Sequence, residues 1–235
     1  MLAGCGAPYQ NIYDYQEGGA FQAVRDIVVA FEGTVTADFQ PATPNGQSGY
    51  YIQQVPGDGD PITSDGIFVF NSSFAVNAGD KVRVTGTIVE FDPSPGTVGG
   101  KLTELTTVTD TVACGTGLPV MPAPVQLPVS SLADWENYEG MLVELTGDSG
   151  QLVLTEMFAL GSFGEVVVAN QRLYQPTTVV EPGAPAVALQ ALNDRSKILI
   201  SDGRNGTPPA GTVPHVPTAA TMFRMGDTTP SIIGV

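Results

Sequence analysis

Positive charge is scarce in this chain: nine Lys and Arg stand against 24 Asp and Glu, a formal net charge of -15 over 235 residues. A polyanion is held by Lys and Arg that displace its condensed counterions, so nine dispersed cations exclude a large basic face. Contact with nucleic acid would need a local patch or a bridging divalent cation, whereas an acidic surface by itself confers solubility. Histidine is nearly absent, and the two cysteines, Cys5 and Cys114, stand far apart, which excludes a zinc site of clustered thiolates and imidazoles. The single His215 lies among Pro and Thr with no Cys or Ser nucleophile motif beside it, and reads as a surface-loop residue rather than a general base. No apolar run approaches the roughly 20 residues of a membrane-spanning helix.

Glycine (28) and proline (19) are abundant, and Val, Ile, Thr, Phe and Tyr recur in short runs, the composition of strands joined by tight turns. The fold class expected is therefore all-β with little helix. Residues 1–22 show no sustained period and are expected to form an extended segment strapped to a first barrel spanning 23–115. Five strands are expected there, at 27–39, 49–54, 66–70, 81–91 and 102–112, the number of a five-stranded Greek-key barrel of OB type. Gly33 falls inside the first of them, where a barrel strand must bend. In the fourth, Lys81-Val82-Arg83-Val84-Thr85 and Thr87-Ile88-Val89-Glu90 alternate polar and apolar residues on either side of Gly86, predicting one wet and one buried face.

A Pro-rich stretch at 116–134, with Pro119, Pro122 and Pro124, reads as a stiff linker. The plan then restarts over 135–235 as a second OB-like barrel. Glu139-Gly140-Met141-Leu142-Val143 echoes Glu32-Gly33-Thr34-Val35-Thr36, and Gly226-Asp227 with the strand-like 231–235 echoes Gly79-Asp80 with 82–86, a weak internal repeat. One helix is expected at 184–197, opened by Pro182-Gly183, carrying apolar Val187, Leu189 and Leu192, and closed by Arg195 and Lys197. The second barrel is expected to be incomplete, with Val235 inside its fourth strand and no fifth strand to close it.

Two fates are open to Cys5. A disulfide with Cys114 would tie the N-terminal segment to the end of the first module and imply an oxidising compartment. Alternatively, Leu2-Ala3-Gly4-Cys5 looks like a lipoprotein cleavage box, in which Cys5 is lipidated and holds the chain at the cell surface. The charged and apolar regions of a signal peptide are not in the sequence.

Several strings resemble the front region of secreted bacterial endonucleases that degrade extracellular DNA: Glu32-Gly33-Thr34-Val35-Thr36-Ala37-Asp38-Phe39, Tyr50-Tyr51-Ile52-Gln53, Thr63-Ser64-Asp65-Gly66-Ile67-Phe68-Val69, Gly79-Asp80-Lys81-Val82-Arg83-Val84-Thr85-Gly86-Thr87, Tyr138-Glu139-Gly140 and Arg172-Leu173-Tyr174-Gln175-Pro176. In that family, OB-type modules precede a metal-dependent endonuclease/exonuclease/phosphatase domain. The resemblance implies that Cys5 pairs with a cysteine at the position of Cys114. It also implies that the catalytic carboxylates and paired histidines lie beyond Val235, leaving this chain a non-catalytic accessory region that positions DNA or the catalytic domain.

Two further functions compete with that expectation. An extracellular structural protein could polymerise by strand complementation, a neighbouring copy of the chain filling the open second barrel. A calcium- or carbohydrate-binding module is the other. Gly57-Asp58-Gly59-Asp60-Pro61 with Asp65 gathers carboxylates between glycines, as calcium prefers, although a solvated hairpin loop accounts for the same string. Tyr50, Tyr51 and Phe68, with Phe70, fall on the second and third strands, the face on which OB modules stack bases or sugars, with Arg83 as a helper. Alternation allows at most half of these rings to be exposed. Trp135 with Tyr138 is expected to anchor linker to barrel, and Arg172 with Tyr174 to fix the helix.

Overall fold

The first strand, β1 (Ile27–Asp38), changes partner part-way along its length, and that exchange closes the first sheet on itself. In the computed structural model, which describes residues 4–40, 47–92, 101–204, 206–207 and 223–235, residues 27–34 pair antiparallel with β4 (Asp80–Phe91). Residues 34–38 pair antiparallel with β2 (Tyr50–Gln53). The exchange falls at Gly33, where a Cβ would stand 3.0 Å from the Gln53 carbonyl oxygen, and at a bulge between Val35 and Ala37. Glycine thus admits the backbone of β2 at the bend, as barrel corners require. Next, β3 (Gly66–Val69) pairs antiparallel with β2 and parallel with β5 (Leu102–Thr116), and β5 returns to β4. The ring order β1-β2-β3-β5-β4 is that of a Greek-key barrel of OB type.

Period-two alternation fills the barrel. Val29, Phe31, Val35, Tyr50, Ile52, Ile67, Val69, Val82, Val84, Ile88 and Leu105 all point inward and are buried. Residues 4–22 are strapped to this barrel as expected, but they coil through successive turns instead of running extended. Their hydrogen bonds explain why: the Ile12 N–H donates to Gln54 Oε1 at 2.9 Å, the Gln16 amide donates to the Gly66 carbonyl, and Tyr15 packs edge-on against Phe31. Fully buried Ile12 completes the barrel core.

The chain divides into two compact units, one of Met1–Ala123 with Ala133–Val143 and Gly234–Val235, the other of Pro124–Leu132 with Glu144–Ile233. The second unit is also β-rich, but among the described residues its strands form two sheets and no closed five-stranded ring. One sheet has the order β12 (Ser231–Gly234), β7 (Val143–Gly147), β6 (Ala123–Leu127), and the other β10 (Lys197–Ile200), β9 (Val166–Ala169), β8 (Leu152–Glu156), β11 (Thr228–Thr229). The short α1 (Leu160–Phe163) and the longer α2 (Ala184–Arg195) accompany them. In α2 the buried positions are Ala186 and Asn193, with the expected Leu189 and Leu192 half-buried between them, while the expected Val187 faces solvent. The Asn193 amide donates to the Tyr174 carbonyl at 2.9 Å, and Arg172 lies over the Tyr174 ring at 5.1 Å. The expected linker is structured, because β6 lies within it as an edge strand, the position in a sheet that tolerates Pro124.

Candidate ligand face of the first barrel

Strand register lines up Tyr51, Phe68 and Glu104 on the outer surface of β2, β3 and β5. The Tyr51 and Phe68 rings meet with centroids 4.9 Å apart, and Phe39 closes edge-on against Tyr51 at 5.9 Å. This is the aromatic patch expected of a ligand face, yet Phe68 is only 4% exposed. The adjacent Tyr50 points the other way, wholly into the core, so it is no ligand contact.

Across this face, beside the aromatic row, lies the segment Ala133–Val143, which takes in all but the first residue of a 3-10 helix at Leu132–Tyr138. Three hydrogen bonds hold it: the Thr103 N–H donates to Glu139 Oε1 at 2.9 Å, the Ser64 hydroxyl donates to the Glu139 carbonyl at 2.6 Å, and the Leu142 N–H donates to Gln53 Oε1 at 2.9 Å. Backbone lies directly on backbone, since a Cβ on Gly66 would fall 2.2 Å from the Gly140 carbonyl oxygen. Anchoring therefore comes from Glu139, Gly140 and Leu142, while Trp135 and Tyr138 are half-buried beside them. Burial pushes the Glu139 carboxyl up to about 8; the Glu136 and Glu90 charges add to the rise and the Thr103 hydrogen bonds oppose it. Burial likewise raises Glu104, and it takes the Tyr51 hydroxyl to about 12 with help from Glu139 and Glu104.

Arg83, expected beside the rings, is buried elsewhere. Register sets it opposite Glu32, 3.3 Å from Oε1, and its guanidinium donates to the carbonyls of Ala7 and Pro8. Lys81 reaches the other Glu32 oxygen at 2.9 Å, and the Gly6 N–H donates to Oε1 at 2.7 Å. Burial alone would raise Glu32, but Lys81, Gly6 and Arg83 outweigh it and hold the carboxyl below its ordinary value. The network clamps the N-terminal segment beside the Cys5–Cys114 disulfide, whose Cα atoms are 5.6 Å apart. With its sulfur in that bridge, Cys5 has no thiol for a lipid.

The acidic loop does not assemble a cation site. Asp58 accepts from the Asp60 N–H and the Thr63 hydroxyl, and Asp60 accepts from the Ile62 N–H, so these carboxylates cap their own turns. Asp65 is set apart: burial first, then the Asp58 charge, raise it to about 6. Among the described residues no group of three or more His, Cys, Asp or Glu is placed to hold a metal. Of the expected calcium ligands, Asp58 and Asp60 are thus satisfied within their own hairpin loop, while Asp65 Oδ1 is buried without a hydrogen-bond partner among the described residues. His215 lies outside the described residues.

Five cations are paired with carboxylates: Arg25 with Glu90, Lys81 and Arg83 with Glu32, Lys197 with Asp194, and Arg204 with Asp202. Arg195 donates to the carbonyls of Val129 and Ser130, and Arg172 is on Tyr174. No helix among the described residues is long and apolar enough to cross a membrane. Comparison with family models, with curated proteins and with solved structures finds no match for this chain. Sequence reasoning missed Glu139 as an anchor. Its string was visible as an echo of Glu32-Gly33 and in the family resemblance, but nothing local signals a bond to Thr103, 36 positions away.

Proposed function

We propose that this chain is a non-catalytic accessory module of a secreted nuclease, one that positions a neighbouring catalytic domain and does not itself grip DNA. One observation carries the choice between these roles: the face on which an OB-type barrel takes bases or sugars is crossed by the chain's own Ala133–Val143. The engaged cations and the net charge of -15 weigh the same way, because counterion release needs free Lys and Arg. The disulfide supports export to an oxidising compartment, and the nuclease context rests on the sequence resemblance.

Fluorescence anisotropy with labelled single- and double-stranded oligonucleotides tests the role, at about 50 mM salt where phosphate contacts are strong, with and without magnesium or calcium. No binding and no strand cleavage are expected; low-micromolar binding would overturn the positioning role. Reading the coding DNA beyond the Val235 codon tests the context. A frame running into a metal-dependent nuclease domain supports it, and an unrelated domain removes it.

A second reading draws on the two separate sheets of the second unit, whose edge strands β10 and β12 carry half-exposed Leu199 and Ile233. Such edges accept a strand from another copy of the chain. Light scattering over a concentration series decides it, since a constant monomer mass leaves no place for polymerisation.

A further inference from the structure

The segment Ala133–Val143 is held on the barrel by an acid with no cation of its own. Facing Glu139 are the Thr103 N–H from β5, Glu90 from β4, Tyr51 from β2, itself beside Glu104 of β5, and Glu136 from the segment itself. Glu136 in turn feels Glu17 of the N-terminal segment. The nearby guanidinium, that of Arg25, is spent on Glu90, the Thr103 hydroxyl and the carbonyls of Tyr15 and Val24. A carboxylate at Glu139 would thus be one more buried negative charge beside Glu136 and Glu90, with only the hydrogen bonds of Thr103, from its N–H and its side chain, in compensation. As a neutral acid it keeps the same position without that repulsion. The other attachments, Ser64 to the Glu139 carbonyl and Gln53 to the Leu142 N–H, do not titrate.

We propose that Ala133–Val143 is a proton-locked cover, which ionisation of Glu139 releases from the barrel, baring the outer face at Gln53 and Gly66 beside Tyr51 while the barrel stays folded. Burial and the acidic neighbours raise Glu139 to about 8 in the closed state, whereas a carboxyl freed into water ionises near 4.3. The closed state therefore binds the proton more tightly. Between those two values each pH unit raises the ratio of open to closed cover by about tenfold, and above the higher one the ratio levels off. Once uncovered, the face offers the Tyr51 ring and a rim of carboxylates, a surface for an uncharged ring or a cationic group rather than a phosphate.

The inference rests on the closed-face reading, but its test is independent of DNA. Trp135, the only tryptophan of the chain, lies on the cover. Its emission is followed from about pH 5.5 to 9, below the range in which tyrosines ionise, with far-UV circular dichroism recorded in parallel. A red shift that grows with pH and levels off above about 8 is expected, with the strand signal unchanged. Glu139→Gln should abolish the pH dependence, and Ser64→Ala should move the whole curve to lower pH. A flat emission profile, the same profile in Glu139→Gln, or simultaneous loss of the strand signal would overturn the proposal. Should Glu139→Gln fail to fold, amide exchange on the unaltered protein decides: protection lost with pH over 134–142 but kept in β4 supports it, and equal protection refutes it. Failure of the closed-face reading would show instead as DNA binding near neutral pH with an unmoved Trp135.

Discussion

Gly79 and Gly226 adopt the same backbone conformation, each at φ of 93°, and each precedes an aspartate that turns back on its own loop. Asp80 Oδ2 accepts from the Asn77 N–H at 2.8 Å, and Asp227 Oδ2 accepts from the Arg224 N–H at 2.8 Å. The turn at Asp80 opens β4, which lies beside β1, whereas the turn at Asp227 leads first into β11 beside β8 and then into β12 beside β7. The weak sequence echo is therefore a repeated turn that feeds different strands. Open space surrounds both glycines, since an added Cβ would meet nothing within 4 Å. The cost of Gly79→Ala or Gly226→Ala is thus backbone strain alone, about 1–2 kcal/mol. Urea unfolding should show that loss for each, and a smaller one for Asn at the same position.

How much of this was legible beforehand depends on the range of the interaction. The strands of the first barrel could be read to within a few residues because alternation and mid-strand glycines are local. Alternation limits the rings Tyr50, Tyr51, Phe68 and Phe70 to at most half outward, but choosing which needs the register to β3. Arg83 could not be read as buried, since its partner Glu32 lies across a strand pair and its carbonyl acceptors at Ala7 and Pro8 lie 75 or more residues away. The second unit was less legible because its strands are four or five residues long or shorter, too short for alternation to separate strand from loop. The cover left no local trace, because Gly66 and Gly140 matter to each other only once the chain has folded back.

The Cys5–Cys114 bridge closes a separation of 109 residues. Chain entropy assigns such a loop about 2–5 kcal/mol of stability. The Cys5→Ala, Cys114→Ala double variant is expected to lose that amount in chemical denaturation. Hydrogen exchange should place the first loss of protection in the N-terminal segment around Ile12, whose attachment the bridge secures. A variant as stable as the native protein would show that the Glu32–Arg83 clamp alone holds that segment.

Glu32 and Arg83 are both almost wholly buried, so removing Arg83 leaves buried Glu32 with only the half-exposed Lys81 as counter-charge. Arg83→Met should cost somewhat less than the ~3–5 kcal/mol of a wholly unpaired buried charge. The double change Glu32→Gln, Arg83→Met should recover much of it, and a double-mutant cycle measures the coupling. The pH dependence has a definite sign. Glu32 is held below its ordinary value in the folded state, so its contribution is present above about 4.3 and fades as pH falls through the lowered folded value. Stability of Glu32→Gln should accordingly be less sensitive to acid over that window.

Asp65 titrates with the opposite sense. Its folded-state value of about 6 exceeds the 3.8 of a free carboxyl, so the folded protein holds a proton there that the unfolded chain has released. Stability should then fall as pH rises from about 4 to 6 and remain at the lower level above. Asp65→Asn removes the ionisation while keeping the shape and a carbonyl oxygen to accept the Asp58 N–H. At neutral pH it is expected to stabilise the protein by about 1–2 kcal/mol, less than the full shift implies because the side chain is partly solvated. Melting temperatures at pH 4 and pH 7 check this directly. The variant should gain at pH 7 and not at pH 4, whereas a loss at pH 7 would mean that the Asp65 carboxylate has a favourable partner that outweighs its burial.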